Sequence, residues 1–224
     1  MLVAVAAGVV LVLVVAQLVL PGIAVERVRE RVGRYGEVRS VHVHAVPGIA
    51  LLWGSAQEVA VQAGTLRASP HALGDLEQQL SGIDRARLSS PRIDLLLSSS
   101  LVSGEAPLEG ALLEKRGSAL SAVGSFRAST LALVLPVGLR VDGLSAQSGH
   151  PEVSLSGEAF GVRVSGRAIV TAKEGAIVIE PAGLPFAGLA SVTLFADSHV
   201  YVESVTATPT AEGIAIALRA RPAG

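Results

Sequence analysis

The stretch VSLSGEAFGVRVSGRAIVTAKEGAIVIEP, residues 153–181, decides the fold class, because its apolar side chains recur at every second position. Such alternation is typical of β-strands with one buried and one solvated face. Two short turns, at 159–161 and 173–175, separate three strands within this stretch. Similar segments follow near 191–195, 199–206 and 213–220. Consecutive half-buried strands joined by short turns predict an antiparallel meander for this part of the chain.

The same period of two appears earlier in the chain. Valines alternate with polar residues in VRSVHVHAV (38–46), and EVAVQAGTL (58–66) alternates again. The sequence therefore predicts a hairpin with a long apolar loop between these two segments. A further strand is predicted over 85–97, broken at Pro91 because proline cannot donate a backbone hydrogen bond.

Helical patterns occupy three other segments. An apolar stripe at helical spacing predicts a short amphipathic connector helix over 23–36. Ser69 as N-cap and Pro70 at the first helical position, followed by leucines at helical spacing, predict a second helix that ends near Gly82. The composition of 107–120, PLEGALLEKRGSAL, favours a third helix.

Residues 2–20, LVAVAAGVVLVLVVAQLVL, form an apolar run without charge. A helix of about 20 such residues crosses the hydrocarbon core of a bilayer. The run has no basic segment before it and no small-x-small cleavage site after it, so we expect a transmembrane anchor or uncleaved signal over 1–22. The connector and a β-rich domain over 37–224 would follow it. The four arginines between 27 and 34 favour a cytoplasmic location for that domain.

Composition and motifs argue against catalysis. The net charge is −1 and cysteine is absent, which excludes disulfides, thiol catalysis and cysteine-ligated zinc. His42 and His44 share a strand face without further metal ligands, and His199 beside Asp197 lacks a nucleophile. Apart from 27–34, basic residues do not cluster along the sequence, and no aromatic residues interleave with them. We therefore expect no enzyme, no metal or cofactor, and no nucleic-acid partner.

The aliphatic strand faces have two interpretations. They form an ordinary core that is closed by helices, or part of them lines a groove for acyl chains. The residues expected to point inward are Val153, Leu155, Val162, Val164, Val170, Ile214 and Ile216. The apolar loop between the first two strands either meets a bilayer with its tip or packs over the end of the sheet. The candidate membrane-contact residues of this loop are Leu51, Leu52 and Trp53.

Two segments resemble a known family. The first is VRSVHVHAVPGIALLWGSAQEVAVQAGTL (38–66), in which two strands flank a proline-initiated apolar loop with a Leu-Leu pair and a glycine. The second is GRAIVTAKEGAIVIEPAGLP (166–185), followed by strands to EGIAIALRA (212–220). Both resemble the LmeA-like phospholipid-binding proteins of actinobacterial envelopes. The chain has Gly48-Ile49 where the loop of that family usually carries an aromatic residue.

The resemblance implies an α+β fold of the tubular lipid-binding (TULIP-like) kind. In it, an N-terminal transmembrane helix precedes a curved antiparallel β-meander that wraps one or two helices and leaves an apolar groove. The implied function is a membrane-anchored phospholipid-binding or lipid-transfer protein, and it places the domain on the extracytoplasmic side of the cell membrane, against the arginine pattern. The implied partners are a phospholipid or other acyl-chain lipid and the membrane; no protein partner is indicated. The alternative is a non-enzymatic structural or scaffolding envelope domain with a closed core.

Overall fold

The computed structural model describes residues 22–45, 51, 55–69, 80, 82–98, 103–131, 139–147, 150–159, 162–182 and 192–223. Within them, residues 22–33 form a helix (α1), Ala128–Leu131 form a short helix (α2), and most of the rest is strand. The strands are β1 (Gly36–His44), β2 (Ala56–Ala68), β3 (Ile83–Ser98), β4 (Ser103–Arg116), β5 (Ala119–Arg127), β6 (Leu139–Gln147), β7 (His150–Ala159), β8 (Val162–Lys173), β9 (Ala176–Ala182), β10 (Val192–Phe195), β11 (Val200–Pro209) and β12 (Gly213–Pro222).

These strands form two sheets. The larger sheet has the order β1-β2-β3-β4-β5-β12-β11, and the smaller has the order β10-β9-β8-β7-β6. The smaller sheet is an antiparallel meander, as the alternating sequence predicted. The last two strands leave that meander, because β12 pairs with β5 and β11 with β12 in the larger sheet. The larger sheet is mixed, since β2 and β3 are parallel.

One row of side chains crosses all seven strands of the larger sheet and is apolar in every strand. Cα pairing places in this row Val41, Val61, Leu88, Leu113, Ala122, Leu218 and Val205. An apolar row of this length requires a second layer to exclude water from it. We call the face that carries it the inner face, and the opposite face the outer face.

Two different layers cover the inner face. At the β1–β2 end the cover is α1, whose Val25, Val28 and Val32 pack against a cluster that includes the buried Val41 and Val59. At the other end the cover is the smaller sheet, in which β8, β9 and β10 share one hydrophobic cluster with β11 and β12. Each fully buried aliphatic side chain contributes about 1.5–3 kcal/mol. The inner face therefore accounts for much of the core.

Pro91 does not break β3, which continues from Ile83 to Ser98. The proline nitrogen has no proton to donate to a neighbouring strand. The hydroxyl of the buried Ser90 lies 2.5 Å from the Gly64 carbonyl oxygen and 2.7 Å from that of Arg92, and it accepts a hydrogen bond from the Arg92 amide at 3.2 Å. The serine hydroxyl thus supplies bonds where the ladder is interrupted, and the predicted break is wrong.

The β8–β9 turn joins the two sheets. Glu174 and Gly175 both have positive φ, 52° and 81°, as a two-residue type I′ hairpin turn requires. The Val202 amide of β11 donates a hydrogen bond of 3.0 Å to the Gly175 carbonyl oxygen. A Cβ at Gly175 would lie 2.6 Å from the ring of Tyr201. Glycine is therefore favoured here by both its φ and its close approach to β11.

The predicted α+β fold class is wrong. The segment 107–120, predicted as a helix, forms most of β4 and the start of β5. Pairing with both neighbouring strands outweighs its helical composition, and a bulge between Glu109 and Leu112 hides the period of two. The TULIP-like arrangement is wrong as well, because the larger sheet is mixed and, within the described residues, lies against α1 at one end and a second sheet at the other.

The predicted membrane anchor has no counterpart in the described residues. No helix among them has the combined length and apolar character that crossing a membrane requires. The predicted anchor over 1–22 lies outside the described residues except for Gly22, and so does most of the helix predicted over 69–82. The single-pass anchor and the cell-membrane localisation that depended on it are therefore not supported.

Candidate interaction surface

The outer face of the larger sheet carries a row that lies one residue away from the apolar row in every strand and is polar in six of the seven strands, which we call the polar row. Cα pairing places in it His42, Ala60, Arg87, Glu114, Ser121, Arg219 and Ser204. A neighbouring row on the same face contains His44, Glu58, Arg85 and Arg116. The topology thus gathers onto one face charged residues that are far apart in the sequence.

Three arginines in these rows form what we call the basic cluster: Arg85, Arg87 and Arg116, all exposed. Glu114 forms ion pairs with two of them: its carboxylate oxygens lie 3.5 Å from Arg87 Nε and 3.1 Å from Arg116 Nη2. Arg85 is the direct cross-strand partner of Arg116, and it makes no ion pair within the described part of the chain. Like charges directly opposite in a sheet are destabilising. The cluster therefore holds three arginines against two carboxylates, Glu114 and Glu58, and Glu58 is the neighbour of Arg85 on β2.

A groove of about 350 Å³ adjoins the basic cluster on the outer face, over β4, β5, β12 and β11. Its lining includes small side chains, two threonines and one exposed valine: Ser125, Ala215, Ala217, Thr206, Thr208 and Val123. Val123 is 42% exposed and lies two residues from Ser121, the cross-strand partner of Glu114. The groove is open to solvent, and its lining also includes Glu109, which pairs with Arg127 at 3.0 Å.

The inward-pointing residues predicted from the sequence are placed in part. Two of them are buried, Val170 and Ile214, and two are half-buried, Val153 and Ile216. Val170 and Ile216 belong to the hydrophobic cluster in which the two sheets meet. The other three side chains lie outside the described part of the structure: Leu155, Val162 and Val164.

The predicted membrane-contact loop is described at one residue only. Leu51 is half-buried and packs against the cluster beneath α1. Leu52 and Trp53 lie outside the described residues. The position of Leu51 favours the interpretation that this loop packs over the sheet.

His199 and Asp197 form a local turn instead of a catalytic pair. The Asp197 carboxylate accepts a 2.8 Å hydrogen bond from the His199 amide and lies 3.3 Å from His199 Nδ1. The Ser198 hydroxyl lies 3.2 Å from that same Nδ1. A catalytic histidine contacts its orienting carboxylate and its nucleophile through different ring nitrogens. Here both contacts converge on one nitrogen, which favours the turn.

The other histidines gain no metal partners within the described residues. His42 and His44 are exposed on β1. In the described part of the chain, no group of three or more histidine or acidic side chains could hold a metal ion. The metal and catalytic hypotheses therefore have no geometric support there.

Charged residues on the smaller sheet form isolated contacts. Lys173 donates a 2.9 Å hydrogen bond to the Glu180 carboxylate, and this bond, with the carboxylate's negative charge, raises the pKa of Lys173. Glu152 is buried, with Oε1 3.4 Å from the Ser145 hydroxyl and 3.7 Å from Arg167 Nη1. Among the described residues, its Oε2 has no hydrogen-bond partner. These contacts tie neighbouring strands together but do not converge on a common site.

Sequence reasoning missed the basic cluster. Arg85 and Arg87 are two residues apart in a predicted strand, a spacing that already places them on one face. Arg116 was assigned to a helix, so its position opposite Arg85 became visible only with the β3–β4 register. No family model, curated protein or solved structure matches this chain. The LmeA-like assignment and the lipid-binding role attached to it are accordingly not supported.

Proposed function

We propose that this chain is a non-enzymatic structural domain, a two-sheet scaffold with a closed core that keeps the outer face of its larger sheet open to solvent. The observation that carries the proposal is the apolar row across seven strands, which α1 covers at one end and the smaller sheet covers at the other. Side chains from opposite layers meet in shared clusters there. Packing of this kind leaves the inner face to stability and the outer face to contacts.

The geometry of the polar groups supports the same proposal. Several described carboxylates form local ion pairs, and Asp197 forms a turn with His199. Catalysis requires instead a nucleophile, a base and a stabilising group that converge. The groove on the outer face is open and adjoins arginines, which suits contact with another molecule. A scaffold of this class needs no cofactor.

Native mass spectrometry of the purified full chain tests whether the core is closed. We expect the mass of the polypeptide alone, because the inner clusters leave little room for a guest molecule. Ala220 is 3% exposed on the inner face, whereas Ala215 lies on the outer face in the same strand. A bound acyl-chain compound that is lost in Ala220→Phe and retained in Ala215→Phe would contradict the proposal.

A further inference from the structure

We infer that the outer face of the larger sheet docks an acidic, extended segment of a partner protein, with carboxylates over the basic cluster and an apolar side chain in the adjoining groove. The inference rests on the proposed scaffold role, since it uses the face that the closed core leaves free. Two separate features carry it: the excess of arginines over carboxylates in the cluster, where Arg85 lies opposite Arg116, and the groove beside them.

The first step is the charge of the cluster. Arg85 and Arg116 face each other across β3 and β4, while one carboxylate, Glu114, is shared between Arg116 and Arg87. An added carboxylate above Arg85 would relieve the repulsion between the opposed cations. Arginine is also well suited to the task, because its planar guanidinium binds a carboxylate through two parallel hydrogen bonds.

The second step is spacing. Arg85 and Arg87 are two residues apart in β3, so their Cα atoms are about 6.6 Å apart along the strand. Alternate side chains of an extended peptide have the same separation and lie on one face of it. An extended segment with acidic residues at alternate positions would therefore match the two arginines one to one.

The third step is the groove. Val123 and Ala217 are cross-strand partners in its lining, and Val123 on β5 lies two residues from Ser121, the cross-strand partner of Glu114 on β4. A partner side chain inserted there would bury the exposed part of Val123 and gain hydrophobic stabilisation beside the ionic contacts. Charged contacts around a small apolar anchor are the usual composition of a protein–protein interface.

The same features favour a protein partner over nucleic acid. Single-stranded nucleic acids bind basic grooves largely by stacking their bases on aromatic side chains. None of the residues of the basic cluster or of the groove lining is aromatic.

Fluorescence anisotropy with the full chain tests the inference. The probe is a labelled peptide of about ten residues, a typical strand length, in which glutamate alternates with threonine and one leucine follows the last glutamate. We expect saturable binding that weakens as salt rises from about 0.05 M to about 0.5 M. The double variant Arg85→Glu/Arg87→Glu should weaken binding by about tenfold or more. Ala217→Gln, which fills the groove, should weaken it about threefold.

Matched variants separate specific docking from general charge. Arg27→Glu/Arg31→Glu makes the same charge change on exposed positions of α1, and Thr193→Gln places the same side chain on β10; neither should alter binding. If circular dichroism shows that Arg85→Glu/Arg87→Glu is unfolded, the neutral double variant Arg85→Gln/Arg87→Gln is used in its place. Equal binding of a peptide with glutamine for glutamate, or unchanged binding by the arginine variants, would overturn the inference.

Two other probes decide the class of partner. Duplex DNA or vesicles that contain phosphatidylglycerol should bind more weakly than the acidic peptide. If either binds more tightly and loses affinity in the Arg85→Glu/Arg87→Glu variant, the assignment to a protein segment is wrong. If the natural chain does not bind the peptide and native mass spectrometry shows no bound molecule, the docking surface is refuted and the scaffold is not. If native mass spectrometry shows a molecule bound in the core, the scaffold is refuted.

Discussion

The row from Val41 to Val205 and the row from His42 to Ser204 are one residue apart in every strand of the larger sheet, yet they meet opposite environments. The first is covered by α1 and by the smaller sheet, and the second carries arginine, glutamate and histidine on the outer face. A one-residue slip of any strand would exchange the two rows in it. In β3, for example, Arg87 would replace Leu88 in the core. The contrast between the rows therefore fixes the register of each strand.

Matched truncations on the two faces should give the largest difference. Val202 is 1% exposed on β11, and Val123 is 42% exposed on β5. We expect Val202→Ala to lower the free energy of unfolding by about 2–3 kcal/mol, because it removes two buried methyl groups and leaves a cavity. Val123→Ala should change it by less than about 0.5 kcal/mol.

Urea denaturation with comparison of the m-values measures both effects, since an unchanged m-value shows that the stability itself has changed. Equal losses in the two variants would mean that both faces are covered, and the distinction between inner and outer face would be wrong.

The hydroxyl beside Pro91 should give the next largest effect. Ser90→Ala removes the hydroxyl that accepts from the Arg92 amide and bonds the Gly64 carbonyl oxygen, so buried backbone groups lose their partner. We expect a loss of about 1–2 kcal/mol in the free energy of unfolding. Ser89→Ala, one residue away and on the opposite face, is the control and should cost less than about 0.5 kcal/mol.

Amide hydrogen exchange identifies the cause of a loss at Ser90. If the hydroxyl bridges β2 and β3, the amides around Gly64 and Arg92 should exchange faster in Ser90→Ala than in Ser89→Ala. Unchanged protection at both sites would show that the hydroxyl is not what holds β3 together at Pro91.

Whether a strand could be predicted from the sequence depends on the same contrast between an apolar and a polar face. Strands with uninterrupted alternation, such as β8 and β12, were predicted correctly because small or apolar residues recur at every second position along them. β4 was missed because its bulge shifts the alternation at Gly110 and its composition suits a helix. The pairing of β12 with β5 joins residues about ninety positions apart, and local periodicity holds no information about such partners.

The candidate site could not be predicted from the sequence, because it too depends on the pairing of distant strands. Arg85 and Arg87 are visible in the sequence as an alternating pair, but Arg116 joins them only through the β3–β4 register. The groove arises where four strands bring small side chains together, and two of these strands come from the end of the chain. A surface assembled from distant segments has no sequence motif of its own.

Neutral substitutions in the basic cluster should have a smaller effect on stability than either core variant. Arg85→Gln removes the repulsion opposite Arg116 without breaking an ion pair, whereas Arg116→Gln also breaks the 3.1 Å contact with Glu114. We expect Arg85→Gln to be neutral or stabilising by up to about 0.5 kcal/mol, and Arg116→Gln to be no more stable than it. Thermal unfolding at low and high salt measures this, because salt screens exposed charges. A clear loss of stability in Arg85→Gln would show that this arginine has a structural partner.

The smallest expected effect is the pH dependence of the Lys173–Glu180 pair on the smaller sheet. The carboxylate of Glu180 raises the pKa of Lys173 above its usual value of 10.5. Because the raised pKa belongs to the folded state, the pair stabilises the fold fully below pH 10.5 and loses this contribution as the pH rises through the higher folded value. Lys173→Gln should therefore unfold at a slightly lower temperature than the natural chain near pH 9, and the two should converge at more alkaline pH. The Lys173 side chain is exposed and that of Glu180 is half-buried, so the difference is small and should fade in high salt. A difference that persists unchanged across this pH range would assign the effect of the substitution to the packing of the lysine stem and not to its charge.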